Sequence, residues 1–367
     1  MKAKTYLNEY LFKINRISIA LLIIFGVFLV SSATAVESQR IYSDSFRMIS
    51  IHAVAIFIGI LLFGIIKRVN YLYIIKFLNP IVILMLVILF ILLTFGINLG
   101  GSTRWLNIGS LRIQPSELAK PIILLWGATQ LSNHHIVEND FMKIWRAGFI
   151  PGLAIILIYR QPDYSTSITI AFIIFVQILF SKVKFIYPLL MSIAAGFLAL
   201  LFLGSETYRA GRWQVWSDKI CDQGLELLGD CFQVHQSRIA ISSGGMFGLG
   251  PGTSRARWGS LPSAYSDFIS AIIGEEYGFL GYLIFIFILS VCIISFFLLA
   301  IREKNEFKKL IISGIGAWIL FQSILNLGAS VYLLPVTGIV LPFVSYGGTA
   351  MVSIFVAIGI MHCRVDD

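Results

Sequence analysis

Apolar blocks separated by short polar breaks recur along the chain from about residue 17 to residue 361. Crossing the hydrocarbon of a bilayer takes about 20 apolar residues in a helix. The blocks at 17–36, 48–66, 77–97, 117–131, 147–159, 164–180, 185–203, 268–301, 310–333 and 339–361 read as spans, which predicts about ten transmembrane helices. The eighth is entered through a half-buried segment at 268–278. The polar positions are unevenly spread: residues 204–263 form one large extracytoplasmic loop between the seventh and eighth spans, and the other connections are short. No repeat or attached soluble domain is visible, so 1–367 reads as a single integral membrane domain. Residues 13–32 followed by Ala33-Thr34-Ala35 also resemble a signal peptide with a small-residue cleavage site. That apolar block is long for a signal, and an uncleaved first helix is the expectation.

Composition removes the soluble alternatives. Of 367 residues, 57% are hydrophobic and only 13% charged, where soluble domains carry about 25% charged; the mean hydropathy is +0.86. A formal charge of +9 would suggest nucleic acid in a soluble chain. Here it follows the positive-inside rule instead. Lys2, Lys4, Lys13 and Arg16 share one side with Lys67, Arg68, Lys76, Lys143, Arg146, Lys182, Lys184, Arg302, Lys304, Lys308, Lys309 and Arg364. The short loops opposite hold only Arg40, Arg47, Arg104, Arg112 and Arg160, which places both termini in the cytoplasm. Of the four cysteines, Cys292 and Cys363 read as inert, while Cys221 and Cys231 can bridge if the long loop faces an oxidising compartment.

With that topology the unusual polar residues converge on the outer side. Asp267 stands where the long loop enters an apolar helix, a costly place for a carboxylate unless something pairs or uses it. Pro115 followed by Glu117 is a helix start, and Glu117 and Lys120 are i, i+3 neighbours. They read either as a structural ion pair or, with Lys120 about a turn inside the membrane, as part of an anion-accepting cavity. In the turn Arg160-Gln161-Pro162-Asp163, Asp163 can cap the next helix, and Arg160 lies close to apolar residues. The long loop adds Arg212 and the glycine-rich run 244–257. Those glycines lack the spacing of a phosphate loop or dinucleotide fingerprint. Cys221, Cys231 and His235 match no common zinc pattern, and no Gly-x-Ser-x-Gly or Ser-His-Asp set is present. Prolines and glycines in 334–348 imply broken backbone at membrane depth, tolerated only against protein or a water-filled cavity.

Taken together, Arg104-Trp105 with 114–120 (Gln-Pro-Ser-Glu-Leu-Ala-Lys), Gln161-Pro162-Asp163, the glycines of 244–250, Leu261-Pro262 with Asp267-Phe268-Ile269, and 335–348 resemble the SEDS family, the shape, elongation, division and sporulation proteins. The motifs occur in the family's order over nearly the whole chain. The family pattern around the aspartate commonly reads His-Thr-Asp-Phe-Ile-Phe-Ala, and here it is Tyr265-Ser266-Asp267-Phe268-Ile269-Ser270-Ala271. Ser266 keeps the hydroxyl, and Ser270 loosens one packing contact. The segments flanking Asp267 are more similar to the FtsW branch than to the RodA branch.

The resemblance implies a peptidoglycan glycosyltransferase, a lipid II polymerase in the bacterial cytoplasmic membrane serving division or elongation. Asp267 maps onto the catalytic aspartate, and Glu117 and Lys120 map onto the family's Glu and Lys. Asp267 is then expected to be the base for the acceptor sugar hydroxyl. Arg104, Lys120, Arg160 and Arg212 are candidates for the pyrophosphate, with Glu117, Asp163, Ser266 and Ser345 completing the expected substrate site. No protein metal site is read, although a divalent cation, Mg or Mn, would aid the leaving pyrophosphate. The expected partners are lipid II, an undecaprenyl-linked glycan strand, membrane lipid and a class B penicillin-binding protein that supplies crosslinking, with no nucleic acid. A flippase or other lipid transporter is the competing reading. It predicts polar groups distributed through the membrane's depth.

Overall fold

The computed structural model describes residues 2–99, 102–108, 111–132, 139–193, 216 and 230–364. In chain order these form α1 (Lys2–Tyr42), α2 (Arg47–Ile66), the short α3 (Tyr71–Lys76) and α4 (Leu78–Phe95). Strands β1 (Ile97–Leu99), β2 (Ser102–Ile108) and β3 (Leu111–Ile113) follow, then α5 (Pro115–Ser132), α6 (Asp140–Arg160) and α7 (Tyr164–Phe180). After them come α8 (Asp230–Ser243), α9 (Ile269–Arg302), α10 (Glu306–Ser330) and α11 (Gly348–Met361). Among the described residues, six helices are long and apolar enough to cross a membrane: α1 from Tyr6, α2, α4, α6, α9 and α10. Two shorter apolar helices, α7 and α11, join them. The fold is an all-α, multi-pass membrane bundle.

α10 is the most enclosed of the long helices, buried along most of its length from Phe307 to Ser330. α2 and α4 instead expose Phe57, Ile60, Leu61, Ile83, Leu84 and Phe90, the outward apolar face expected against lipid tails. Because lipid is as apolar as these side chains, small residues and interhelical hydrogen bonds hold such a bundle together. Gln177 of α7 shows the principle. Its Nε2 donates to the Leu124 carbonyl of α5 at 2.9 Å and to the Leu310 carbonyl of α10 at 3.2 Å. Gly127 and Gly314 leave the space it occupies. Asn15 Nδ2 similarly donates to Ser295 Oγ at 2.8 Å, tying α1 to α9.

α9 is broken at Gly278, whose φ of 66° and ψ of −168° are not helical. The short piece 269–277 therefore ends at this break before the main helix begins, as expected for a separate entry segment at 268–278. The break frees backbone groups, and the glycine run takes them. Leu249 N–H and Gly250 N–H donate to the Glu275 and Glu276 carbonyls, each at 3.0 Å. Phe279 N–H and Leu280 N–H donate to the Gly245 and Met246 carbonyls at 2.9 and 3.1 Å. A Cβ at Gly244, Gly248 or Gly278 would overlap the facing backbone. The glycines thus serve close backbone packing. Glu275, buried at 1% exposure, receives Ser254 Oγ (2.5 Å), Arg255 N–H (3.0 Å) and Ala256 N–H (3.2 Å), holding the 3-10 turn Ala256–Trp258.

Two differences from the sequence expectation stand out. The connection 97–113 folds into a three-stranded antiparallel sheet, ordered β1-β2-β3. The span expected at 339–361 is helical only from Gly348. Before it, Pro342 and positive φ at Gly338 (66°) and Phe343 (67°) keep the backbone irregular. The span at 185–203 is helical over 186–193, and its remainder, like most of the long loop, lies outside the described residues. Cys231 is disulfide-bonded, Cys292 and Cys363 carry free buried thiols, and Cys221 lies outside the described residues.

Candidate active site

Two irregular segments, 261–268 and 334–347, meet at the mouth of α9. Ser263 turns the chain with φ 56°, and its carbonyl receives the Ser266 and Asp267 N–H groups at 3.1 and 3.0 Å. Asn326, buried in α10, then pins both segments with one amide group. Its Nδ2 donates to the Asp267 carbonyl at 2.8 Å and to the Ile339 carbonyl at 2.7 Å. Ser345 Oγ donates to the Ser266 carbonyl at 2.6 Å and accepts Leu341 N–H at 2.9 Å, while Tyr346 N–H donates to the Tyr265 carbonyl at 3.0 Å. The backbone N–H and carbonyl groups of Ser266 and Asp267 are all committed, so the carboxylate is held by a rigid frame. Across from it is the backbone of Gly338, where an added Cβ would stand 3.6 Å from Asp267 Oδ2.

The Asp267 carboxyl is pushed up from its ordinary value by burial, and the Ser266 hydroxyl and the Arg104 charge pull it partly back. Arg104, on β2, reaches this region from the sheet. Its Nη1 lies 3.5 Å from Asp163 Oδ1, and its Nε is buried with no partner among the described residues. Asp163 is fully occupied as an anchor. It caps α7 through Thr166 N–H at 3.4 Å and accepts Gln114 Nε2 at 3.0 Å and Ser116 Oγ at 2.9 Å. A desolvated carboxylate beside a guanidinium can accept a proton and stabilise a neighbouring anion, the two requirements of displacing a phosphate leaving group.

Residues 13–365 match the family described as Cell cycle protein, which groups FtsW, RodA and SpoVE. The chain belongs to this family. Among curated relatives, a probable peptidoglycan glycosyltransferase FtsW of Buchnera aphidicola (subspecies Acyrthosiphon pisum) is 34% identical, covering 93% of this chain and 85% of that protein. A protein of the same name from Bacillus subtilis is 32% identical over 94% of this chain and 88% of its own length. The fold is similar to a chain solved in a study of a peptidoglycan synthase complex that coordinates polymerization and crosslinking, with TM-score 0.75, 22% identity and 95% of each chain covered. It is also similar to the rod shape determining protein RodA of Thermus thermophilus, with TM-score 0.68, 22% identity, and 95% and 94% covered.

Within this FtsW/RodA-type chain, the residues singled out by sequence separate into groups. Asp267, Ser266, Ser345, Arg104 and Asp163 gather around the mouth of α9. Glu117 and Lys120 pair at 2.6 Å. Lys120 is fully buried, with Nζ 5.0 Å from the centre of the Trp318 ring, and Glu117 Oε2 is buried without a partner among the described residues. Arg160 is exposed at the last turn of α6, and Arg212 lies outside the described residues. Two positions that sequence reasoning did not single out complete the frame. Asn326 stands among apolar neighbours at membrane depth, which is itself the usual signal of a working polar group. Tyr346 packs edge-on against Tyr265 with ring centres 5.6 Å apart.

Proposed function

We propose that this protein is a peptidoglycan glycosyltransferase polymerising lipid II at the outer face of the bacterial cytoplasmic membrane, with Asp267 as general base. The observation that carries the reading is the fixed, partly desolvated Asp267 carboxylate within the electrostatic reach of Arg104, in a chain of the FtsW/RodA family. One carboxylate oxygen takes the proton of the acceptor GlcNAc 4-hydroxyl as that oxygen attacks the anomeric carbon of the donor MurNAc. The bond from that carbon to the pyrophosphate breaks, and undecaprenyl pyrophosphate leaves with its electron pair. Arg104 carries the growing negative charge. Lys120, sealed beneath with Glu117, lends its charge from below rather than by contact with solvent. A divalent cation would meet one free-standing carboxylate here, because Asp163 is committed to Arg104, Gln114, Ser116 and Thr166. The described residues do not assemble a protein-built metal centre.

Two features support the outer placement: the basic residues crowd the opposite ends of the helices, and the disulfide at Cys231 belongs in an oxidising compartment. The reading includes a class B penicillin-binding protein as crosslinking partner. Purified protein in detergent, given lipid II, tests the function without any need for flipping. Wild type is expected to make glycan polymer, and Asp267→Asn to lose about 10²–10⁴-fold of the rate. An Asp267→Asn protein that melts like wild type and polymerises normally overturns the assignment. Lipid II translocation in proteoliposomes without any polymer would establish the transporter reading instead.

A further inference from the structure

At the end of the bundle opposite Asp267, a cavity of about 390 Å³ opens between α4, α5 and α6, lined by Asn79, Trp126, Gln130, Trp145, Arg146, Phe149 and Ile150. Asn79 opens α4, Gln130 closes α5 and Arg146 lies in the second turn of α6, whereas the catalytic mouth adjoins the other ends of α5 and α6. A second hollow of about 400 Å³ continues along α6 past Gly148, Gly152, Leu153 and Ile156, sharing Trp145 and Phe149 with the first. Gly148 and Gly152 have nothing within 4 Å of where a Cβ would stand. Missing side chains therefore cut a notch between the exposed Trp145, Phe149 and Leu153.

The chemistry changes in one direction along α6. Near the start of α6 a guanidinium, two carboxamides and two indoles line the first hollow, beside Phe141 and Ile144 of the second; past Phe149 the lining is wholly apolar. Trp126 Nε1 donates to the Arg146 carbonyl at 3.1 Å, which fixes the wall between the two regions. Arg146 is exposed. A guanidinium has five N–H donors, so a partner within the protein leaves others to offer. Lys143 stands one turn before it on the same helix face.

We propose that this continuous groove binds one anionic diacyl phospholipid of the cytoplasmic leaflet, its phosphate at Arg146 and one acyl chain in the notch at Gly148 and Gly152. The polar-to-apolar order matches a lipid's headgroup-to-tail order, and aromatic residues at the junction are the usual interfacial anchors. Basic pockets between helices on the cytoplasmic side select anionic headgroups. The cytoplasmic assignment rests on the orientation proposed above.

The test uses the full-length protein in nanodiscs carrying either brominated phosphatidylglycerol or brominated phosphatidylcholine, reading tryptophan quenching and subtracting the Trp145→Phe variant. Stronger quenching by the anionic lipid is expected. Arg146→Gln is expected to weaken that preference about fivefold. Gly152→Leu is expected to remove Trp145 quenching by both lipids. If Gly152→Leu fails to fold, the wild-type and Arg146→Gln comparison decides alone. Equal quenching by the two lipids, a preference that survives Arg146→Gln, or no quenching because a protein helix covers the groove would each overturn the proposal. None of these readings depends on polymerase activity, so their failure leaves the Asp267 assignment untouched.

Discussion

Asn326 makes two hydrogen bonds from one side-chain nitrogen, and both acceptors are backbone carbonyls of the segments that meet at the mouth of α9. Replacing it by Leu keeps the volume and strands two carbonyls, each costing about 1–3 kcal/mol when left unpaired. Misplacing a catalytic group by about 1 Å can cost about 10²-fold in rate. Asn326→Leu is therefore expected to lower kcat by about that factor with KM nearly unchanged, and steady-state polymerisation measures the split. A raised KM with normal kcat would put Asn326 in substrate binding instead. The charge state of Asp267 adds a second prediction. A general base works deprotonated, and burial raises this carboxyl above its ordinary value, so the acidic limb of the rate profile should lie above the usual carboxylate range. Arg104 pulls that value down, so Arg104→Gln should move the limb further up in pH. A downward move would sink the pairing. Asp267, the Asp163 cap and the Glu117–Lys120 neighbours were legible because each has a local signature, such as a motif, a turn or an i, i+3 spacing. Asn326 was not, because its partners are 59 and 13 residues away along the chain and no short pattern encodes them.

The broken helix α9 and the glycine run 244–250 form one joint, held by exchanged backbone hydrogen bonds. Two of its glycines do different work from a third. Gly248 (φ 84°) and Gly278 (φ 66°) face backbone so closely that any Cβ overlaps it, whereas Gly245 (φ 56°) faces open space. Gly248→Ala and Gly278→Ala should each destabilise by more than about 3 kcal/mol, because both strain and overlap must be absorbed by main chain. Gly245→Ala should lose only the left-handed backbone term of about 1–2 kcal/mol. Melting temperatures in detergent rank the three variants, and equal losses would show that positive φ alone matters. The segment at 268–278 could be anticipated because an apolar helix interrupted by Gly at a polar loop has few other folds open to it. The sheet at 97–113 was missed, although its strands are separated by Gly100-Gly101 and Gly109-Ser110, pairs typical of hairpin turns. Between two membrane spans such a stretch reads first as a loop. The alternation is also only three residues long in β1 and β3.

At the scale of the whole molecule, the all-α membrane class follows from apolar blocks, and these depend only on the thickness of hydrocarbon to be crossed. Element ends are less legible, since lipid-facing and protein-facing helices carry the same apolar residues and only packing separates the buried α10 from the exposed α4. Orientation is the remaining global property, and two unrelated forces agree on it. Basic residues near span ends resist translocation, and disulfides persist only in oxidising compartments. The first predicts Lys182, Lys184, Arg302 and Arg364 inside, and the second predicts Cys231 outside. Alkaline phosphatase, which needs its own disulfides to be active, reads the same variable when fused along the chain. Fusions after Ser243 should be active, while those after Ser181, Arg302 and Arg364 should be inactive. An active fusion at Arg364 together with an inactive one at Ser243 would invert the bundle. Asp267 would then face the cytoplasm, where the glycan strand it is proposed to extend could not join the wall.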